Sequence, residues 1–102
     1  MNVMYEVYIP AHLSNEFNKA ANLFAIYFGG ATAYTAGGKW FDDTGEEINE
    51  EVLVLRGIYT GKQEDGNKEM EDHIFNAITE DLKAAGEETV LWTKQTIEAN
   101  FK

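Results

Sequence analysis

Residues 38–55 read GKWFDDTGEEINEEVLVL, and the way this stretch turns decides the fold. Trp40 and Phe41 close one apolar run, Asp42-Asp43-Thr44-Gly45 follows, and the chain returns through Glu50 and Glu51 into Val52-Leu53-Val54-Leu55. Asp and Thr side chains bond back onto nearby backbone and glycine accepts positive φ, so the segment predicts a β-hairpin. Neighbouring residues of a strand point to opposite faces, so one of Glu50 and Glu51 is expected beside Trp40. A ring beside a carboxylate offers a small cation both cation–π attraction and a counter-charge. Edge-strand charge kept for solubility is the other reading of the same pair.

Working towards the N-terminus, Val3, Tyr5, Val7 and Ile9 alternate with Met4, Glu6 and Tyr8, which predicts a strand stopped by Pro10. Ser14 is the expected N-cap of a helix carrying Phe17, Ala20, Ala21, Phe24 and Phe28, with Gly29-Gly30 as its stop. A second strand is expected from Thr32 to Trp40, with a bulge or bend at Gly37-Gly38. The third is expected from Glu51 to Thr60, followed by a polar loop from Gly61 to Asn67. A second helix with Ile74, Phe75, Ile78, Leu82 and Ala85 on one face ends at Gly86, and a fourth strand covers Thr89 to Ile97.

The resulting order, β-α-β-β-α-β, is the split βαβ unit of ferredoxin-like α+β folds. It predicts a four-stranded antiparallel sheet with two helices on one face, in a single domain spanning residues 1–102. The other face would carry some of Tyr5, Tyr34, Trp40, Leu53, Leu55, Tyr59 and Trp92, according to register. A broad aromatic face is unusual on a monomer, so a homo-oligomer is expected.

Composition narrows the chemistry. Apolar residues make up 44% of the chain, enough for a core, and there is no cysteine for a disulfide, a thiolate nucleophile or a Cys-based zinc site. The net charge of −10 repels phosphate backbones and argues against a nucleic-acid partner, while favouring cationic ligands or basic proteins. MNVMYEVYIP lacks the pattern of a signal peptide, and no segment approaches the roughly 18 apolar residues of a membrane span, so a cytoplasmic protein is expected. His12 and His73 fall in no metal-spaced motif, Ser14 is the sole serine, and no phosphate-binding glycine loop is present. Lys94 lies in the last strand after Trp92-Thr93, where a lysine guarding a sheet edge is the simplest reading.

The spacing G-x-W-x-D-x-x-G-x-x-x-x-E-x-x-x-V-L, from Gly38 through Trp40, Asp42, Gly45 and Glu50 to Val54-Leu55, resembles a motif of small bacterial and phage proteins of unknown function. The whole layout is similar to the phage S-adenosylmethionine lyases, long called SAM hydrolases. In that family the β2–β3 hairpin carries an aromatic residue and, about eleven residues on, a catalytic-site glutamate. Its last strand reads V-L-x-x-K-x-Q-T, where this chain has Val90-Leu91-Trp92-Thr93-Lys94-Gln95-Thr96, one residue shorter within the motif. The family aromatic is a tyrosine, and Trp40 stands at the matching position.

The resemblance implies an enzyme that cleaves S-adenosylmethionine to methylthioadenosine and homoserine lactone, with no cofactor and no metal. It implies Glu50 or Glu51 as the catalytic-site glutamate, substrate contacts from Trp40, Tyr34, Lys94 and Gln95, and a site between subunits of a homotrimer. The cellular consequence would be depletion of the methyl donor that restriction and modification systems need. The residues alone also accommodate a non-enzymatic acidic accessory protein that binds a defence protein, or a module that sequesters a small cationic nucleoside.

Overall fold

In a computed structural model the chain forms β1 (Asn2–Pro10), α1 (Ser14–Phe28), β2 (Thr32–Phe41), β3 (Glu47–Tyr59), α2 (Lys68–Ala84) and β4 (Trp92–Ile97). The structure describes residues 2–61 and 67–101, so most of the expected polar loop lies outside the described residues. The strands form one antiparallel sheet in the order β2-β3-β1-β4, the ferredoxin-like arrangement that the sequence predicts.

Alternation in β1 assigns the two faces. Val3, Tyr5, Val7 and Ile9 are fully buried beneath the helices, against Phe24 of α1 and Ile74, Phe75, Ile78 and Leu82 of α2. Register carries the same face onto Leu55 of β3 and Trp92 of β4, both opposite Val7. Rings lock the layer: Phe75 stacks on Trp92 at 4.1 Å, and Tyr5 stacks on Phe28 at 5.2 Å. The Tyr5 hydroxyl donates to Glu71 Oε1, which also receives Lys94 Nζ, each at 2.7 Å. Burial, followed by the hydrogen bond to Glu71 and its negative charge, pushes the Tyr5 hydroxyl far above its ordinary pKa of 10.0.

Four details differ from the sequence reading. Ser14 is the first helical residue and makes no cap, because buried Leu13 fixes the start of α1: its N–H donates to the Pro10 carbonyl and its own carbonyl accepts from Phe17. The Gly37-Gly38 step carries no bulge; Ala36, Gly37, Gly38 and Lys39 pair in unbroken succession with Val52, Glu51, Glu50 and Asn49. β3 begins at Glu47 rather than Glu51, since the polar start of the strand needs only the hairpin ladder to hold it. β4 begins at Trp92, after a segment in which the Leu91 carbonyl accepts from Tyr8 N–H at 3.1 Å. The glycine stops do hold, with Gly29 (φ 76°) and Gly86 (φ 103°) in the left-handed region.

The open face is also narrower in aromatics than expected. Tyr34 and Trp40 lie there, whereas Tyr5, Leu53, Leu55, Tyr59 and Trp92 fall on the helix-covered side, because they share the register of Val3, Val7 and Ile9. Beyond the helices the β2–β3 hairpin runs on as a two-stranded arm, and the molecule measures 46 × 24 × 21 Å. Its turn is built on Asp42, whose Oδ1 accepts from Thr44 N–H and Oγ1 and from Glu46 N–H, with Gly45 at φ 81°.

Gly57 sets how closely α1 approaches the sheet. A methyl group there would collide with the Phe28 ring and stand 2.9 Å from Phe24 Cδ2. Gly57→Ala is expected to lose about 1–3 kcal/mol to overpacking. Gly30→Ala, where a methyl meets nothing within 4 Å, serves as the control in urea-melting measurements.

Candidate functional site

Antiparallel register places Glu50 opposite Gly38 and Trp40 opposite Ile48, so Glu50 shares the open face with Trp40 and Glu51 points the other way. Along this face Tyr8 and Pro10 of β1, Val52 and Glu50 of β3 and Ala36, Gly38 and Trp40 of β2 border a cleft of about 690 Å³. Its far wall is the segment from Gly86 to Leu91, which leaves the end of α2 and passes along β1. Small residues at Ala36 and Gly38 deepen the floor, while Trp40 and Leu91 present apolar surface, 42% and 57% exposed. The charges are one-sided: Glu50, Glu87 and Glu88 line the cleft, and among the described residues no lysine or arginine does. His12 Nδ1 approaches Glu50 Oε1 to 3.7 Å from the turn after β1. Such a cleft suits a flat apolar group carrying positive charge.

Further along the same face a second cluster surrounds Glu6, which the sequence reading left unassigned. Its Oε2 accepts from Tyr34 Oη at 2.7 Å and from Arg56 Nε at 3.0 Å, and Arg56 Nη2 lies 2.9 Å away. Arg56, the chain's only arginine, also stands over the Tyr34 ring at 5.2 Å. Burial works to raise the Glu6 pKa, but the hydrogen bonds from Tyr34 and Arg56 and the positive charge of Arg56 hold it below the usual 4.5. The bond to Glu6 correspondingly raises the Tyr34 hydroxyl. The signals were present in the sequence: an acid alternating with core residues in β1, and a lone arginine in a strongly acidic chain. Their meeting depends on the β1–β3 register, which pairs Glu6 with Arg56.

The residues singled out by sequence therefore fall in separate places. Trp40 and Glu50 come together at the cleft. Tyr34 is six positions from Trp40 along β2, roughly 20 Å away. Glu51 projects from the opposite face of the arm. Lys94 sits on the helix-covered side in its ion pair with Glu71, and Gln95 is on the open face opposite Met4. Among the described residues no three His, Cys, Asp or Glu side chains group as a metal site, and no helix is long and apolar enough to cross a membrane.

No protein-family profile and no curated protein sequence matches this chain. Solved structures share its fold. A phage SAM lyase in complex with S-methyl-5'-thioadenosine is similar over 93% of this chain and 81% of its own, with a TM-score of 0.65 and 13% identity. The divalent ion tolerance protein CutA1 from Ehrlichia chaffeensis is similar over 97% and 84%, with a TM-score of 0.65 and 12% identity. The divalent cation tolerance protein from Thermus thermophilus is similar over 98% and 88%, with a TM-score of 0.61 and 15% identity. At these identities the likeness establishes the ferredoxin-like fold, common to the lyase and the tolerance proteins alike.

The Glu6 cluster makes a pH prediction with a definite sign. A carboxylate whose folded pKa is depressed contributes stability above its unfolded pKa and loses it as pH falls through the folded value. Stability of the native chain is thus expected to decline as pH drops below about 4.5. Glu6→Gln removes this contribution, so its urea midpoint should fall less steeply over the same acid range.

Proposed function

We propose that this protein is a phage-type S-adenosylmethionine lyase, acting at the open-face cleft. The observation that carries the reading is the pairing of Trp40 with Glu50 in a cleft lined by carboxylates, on a fold shared with a phage SAM lyase that holds methylthioadenosine. The substrate is positive at its sulfonium and its ammonium, which matches the charge of the cleft.

The chemistry asks little of protein side chains. The substrate's own carboxylate attacks its γ-carbon, a C–O bond forms, and the C–S bond breaks with its electron pair returning to sulfur. Neutral methylthioadenosine leaves, and homoserine lactone keeps the ammonium; no proton is transferred. The protein's contribution is to hold the methionyl chain curled in a near-attack shape, where orientation supplies several kcal/mol. Because positive charge on sulfur vanishes during reaction, a carboxylate tight against the sulfonium would stabilise the ground state and slow cleavage. Glu50 therefore holds the ammonium, and the Trp40 face takes the adenine. Tyr34 reaches the same ligand only from a second copy, which fits a homotrimer with its sites between subunits. The exposed arm, with Trp40 on one face and 66% exposed Phe41 on the other, supplies surface for that assembly. The reaction belongs in the cytoplasm, the host's for a phage product, where it would deprive restriction and modification of their methyl donor.

Purified protein incubated with S-adenosylmethionine should release methylthioadenosine and homoserine lactone, read by liquid chromatography–mass spectrometry. Glu50→Gln is expected to cut turnover by about 100-fold or more, whereas Glu51→Gln should retain most of it. Equal loss in both variants would remove the assignment to the cleft. The indole at position 40 lacks the hydroxyl of the family tyrosine, which favours a second reading: binding of the nucleoside without cleavage, seen as retained ligand and intact substrate. Light scattering should give a mass well above the 11.5 kDa of one chain, and a monomer would rule out a site shared between subunits.

A further inference from the structure

Gly38 belongs to the hairpin motif, yet no turn, bulge or positive φ accounts for a glycine there. It sits mid-ladder on the edge strand, in unbroken register opposite Glu50, with backbone that any residue can adopt. A glycine in a strand interior costs ladder stability and gives no side chain to pack. What distinguishes this position is the Trp40 side chain, two residues on and on the same face. A Cβ on Gly38 would stand 2.9 Å from Trp40 Cζ3 and 3.4 Å from Val52 Cγ2. The first distance is far inside the ~3.5–4.0 Å of a favourable carbon contact. At the adjacent Gly37, on the other face, a Cβ would meet nothing within 4 Å. The indole thus folds back over Gly38, the position directly opposite Glu50.

We propose that Gly38 is a positioning residue for the cleft: its missing side chain seats the Trp40 indole against the strand, leaving the outer ring face to stack on the adenine base of the ligand while Glu50 takes the cationic end. This rests on the reading of the cleft as a site for S-adenosylmethionine. Added bulk at position 38 meets the far edge of a movable ring, so the ring is displaced and the sheet is retained. The lesion expected is therefore a misplaced aromatic platform in a folded protein. Since stacking on the adenine acts on substrate and transition state alike, the effect belongs in KM and not in kcat.

The experiment compares the parent, Gly37→Ala, Gly38→Ala, Trp40→Phe and the double variant Gly38→Ala/Trp40→Phe, with Gly37→Ala/Trp40→Phe serving only as the quenching blank for Gly37→Ala. Acrylamide quenching of the Trp40 indole is read as the difference between each protein and its Trp40→Phe counterpart, which subtracts Trp92. Gly38→Ala is expected to increase that quenching and to raise KM for S-adenosylmethionine by roughly five- to tenfold, with kcat little changed. If the parent binds without turnover, the Kd of methylthioadenosine is read in place of KM. Gly37→Ala should match the parent in both measurements. Phenylalanine lacks the ring edge that meets position 38, so the double variant should bind no more weakly than Trp40→Phe alone. Unchanged quenching in Gly38→Ala overturns the seat, and changed quenching with unchanged KM or Kd overturns its part in ligand binding. A double variant much weaker than Trp40→Phe shows the glycine acting apart from the indole, which also overturns the proposal. A parent that neither cleaves S-adenosylmethionine nor binds methylthioadenosine refutes the proposed function and the ligand role together, while quenching still decides the seat.

Discussion

The pairing of β1 with β3 sets Tyr5 opposite Gly57 and Glu6 opposite Arg56, and both faces of the sheet are organised from these neighbouring pairs. On the covered side, the space left by Gly57 is taken by Phe28 and Phe24, so α1 lies close against the sheet and Tyr5 can stack on Phe28. The same tyrosine reaches across to Glu71 and ties α2 to the strands. On the open side, a carboxylate that burial alone would drive towards neutrality is kept ionised by Arg56 and Tyr34. A shift of one residue in this register would invert every side chain of β3 with respect to β1. It would bring Arg56 under the helices and remove the partner from Glu6.

Most of the fold was legible because burial writes a period into the chain. Val3, Tyr5, Val7 and Ile9 announce a half-covered strand, and Ile74, Ile78 and Leu82 announce a helix face, so element order and topology follow. Where no core needed satisfying, the pattern fell silent. Glu47 to Asn49 is as much strand as Leu55 is, yet on the arm its alternation runs only from exposed to half-buried, and Ile48 alone marks it with an apolar residue. Ser14 looked like a cap and is not one, because a buried leucine one position earlier had already fixed the turn. The Gly37-Gly38 step looked like a bend for the reason glycine usually signals one, whereas here it makes room for an indole.

The candidate site was legible in part for the same physical reason. Trp40 and Glu50 sit on one hairpin, and period-two geometry is enough to set them on one face. Glu87 and Leu91 join them through the path of a segment with no regular period, which sequence spacing does not encode, and Tyr8 joins them from β1 through the β1–β3 pairing. Lys94 and Gln95 are neighbours in the chain but serve opposite faces, so their shared motif does not make them a shared site. Lys94 is an exposed lysine on the edge strand β4, as its place in the last strand suggested, and what the spacing did not reveal is that its ammonium reaches in to pair with buried Glu71.

The two-stranded arm divides the chain into regions of unequal resistance to opening. β2 has no buried residue along its length, and the arm's outer part is held by its own ladder. β1 is clamped on both sides by paired strands and from above by two helices. Opening the arm exposes little apolar surface, while opening β1 exposes the whole core, so the two do so at very different free energies. Lys39 and Asn49 thus sit where local fraying costs least, and Tyr5 and Val7 where opening costs the whole core. The cleft takes its floor at Ala36 and Gly38 from the weakly held β2 and its side at Tyr8 and Pro10 from the clamped β1, so an occupant that touches both ties the arm to the core.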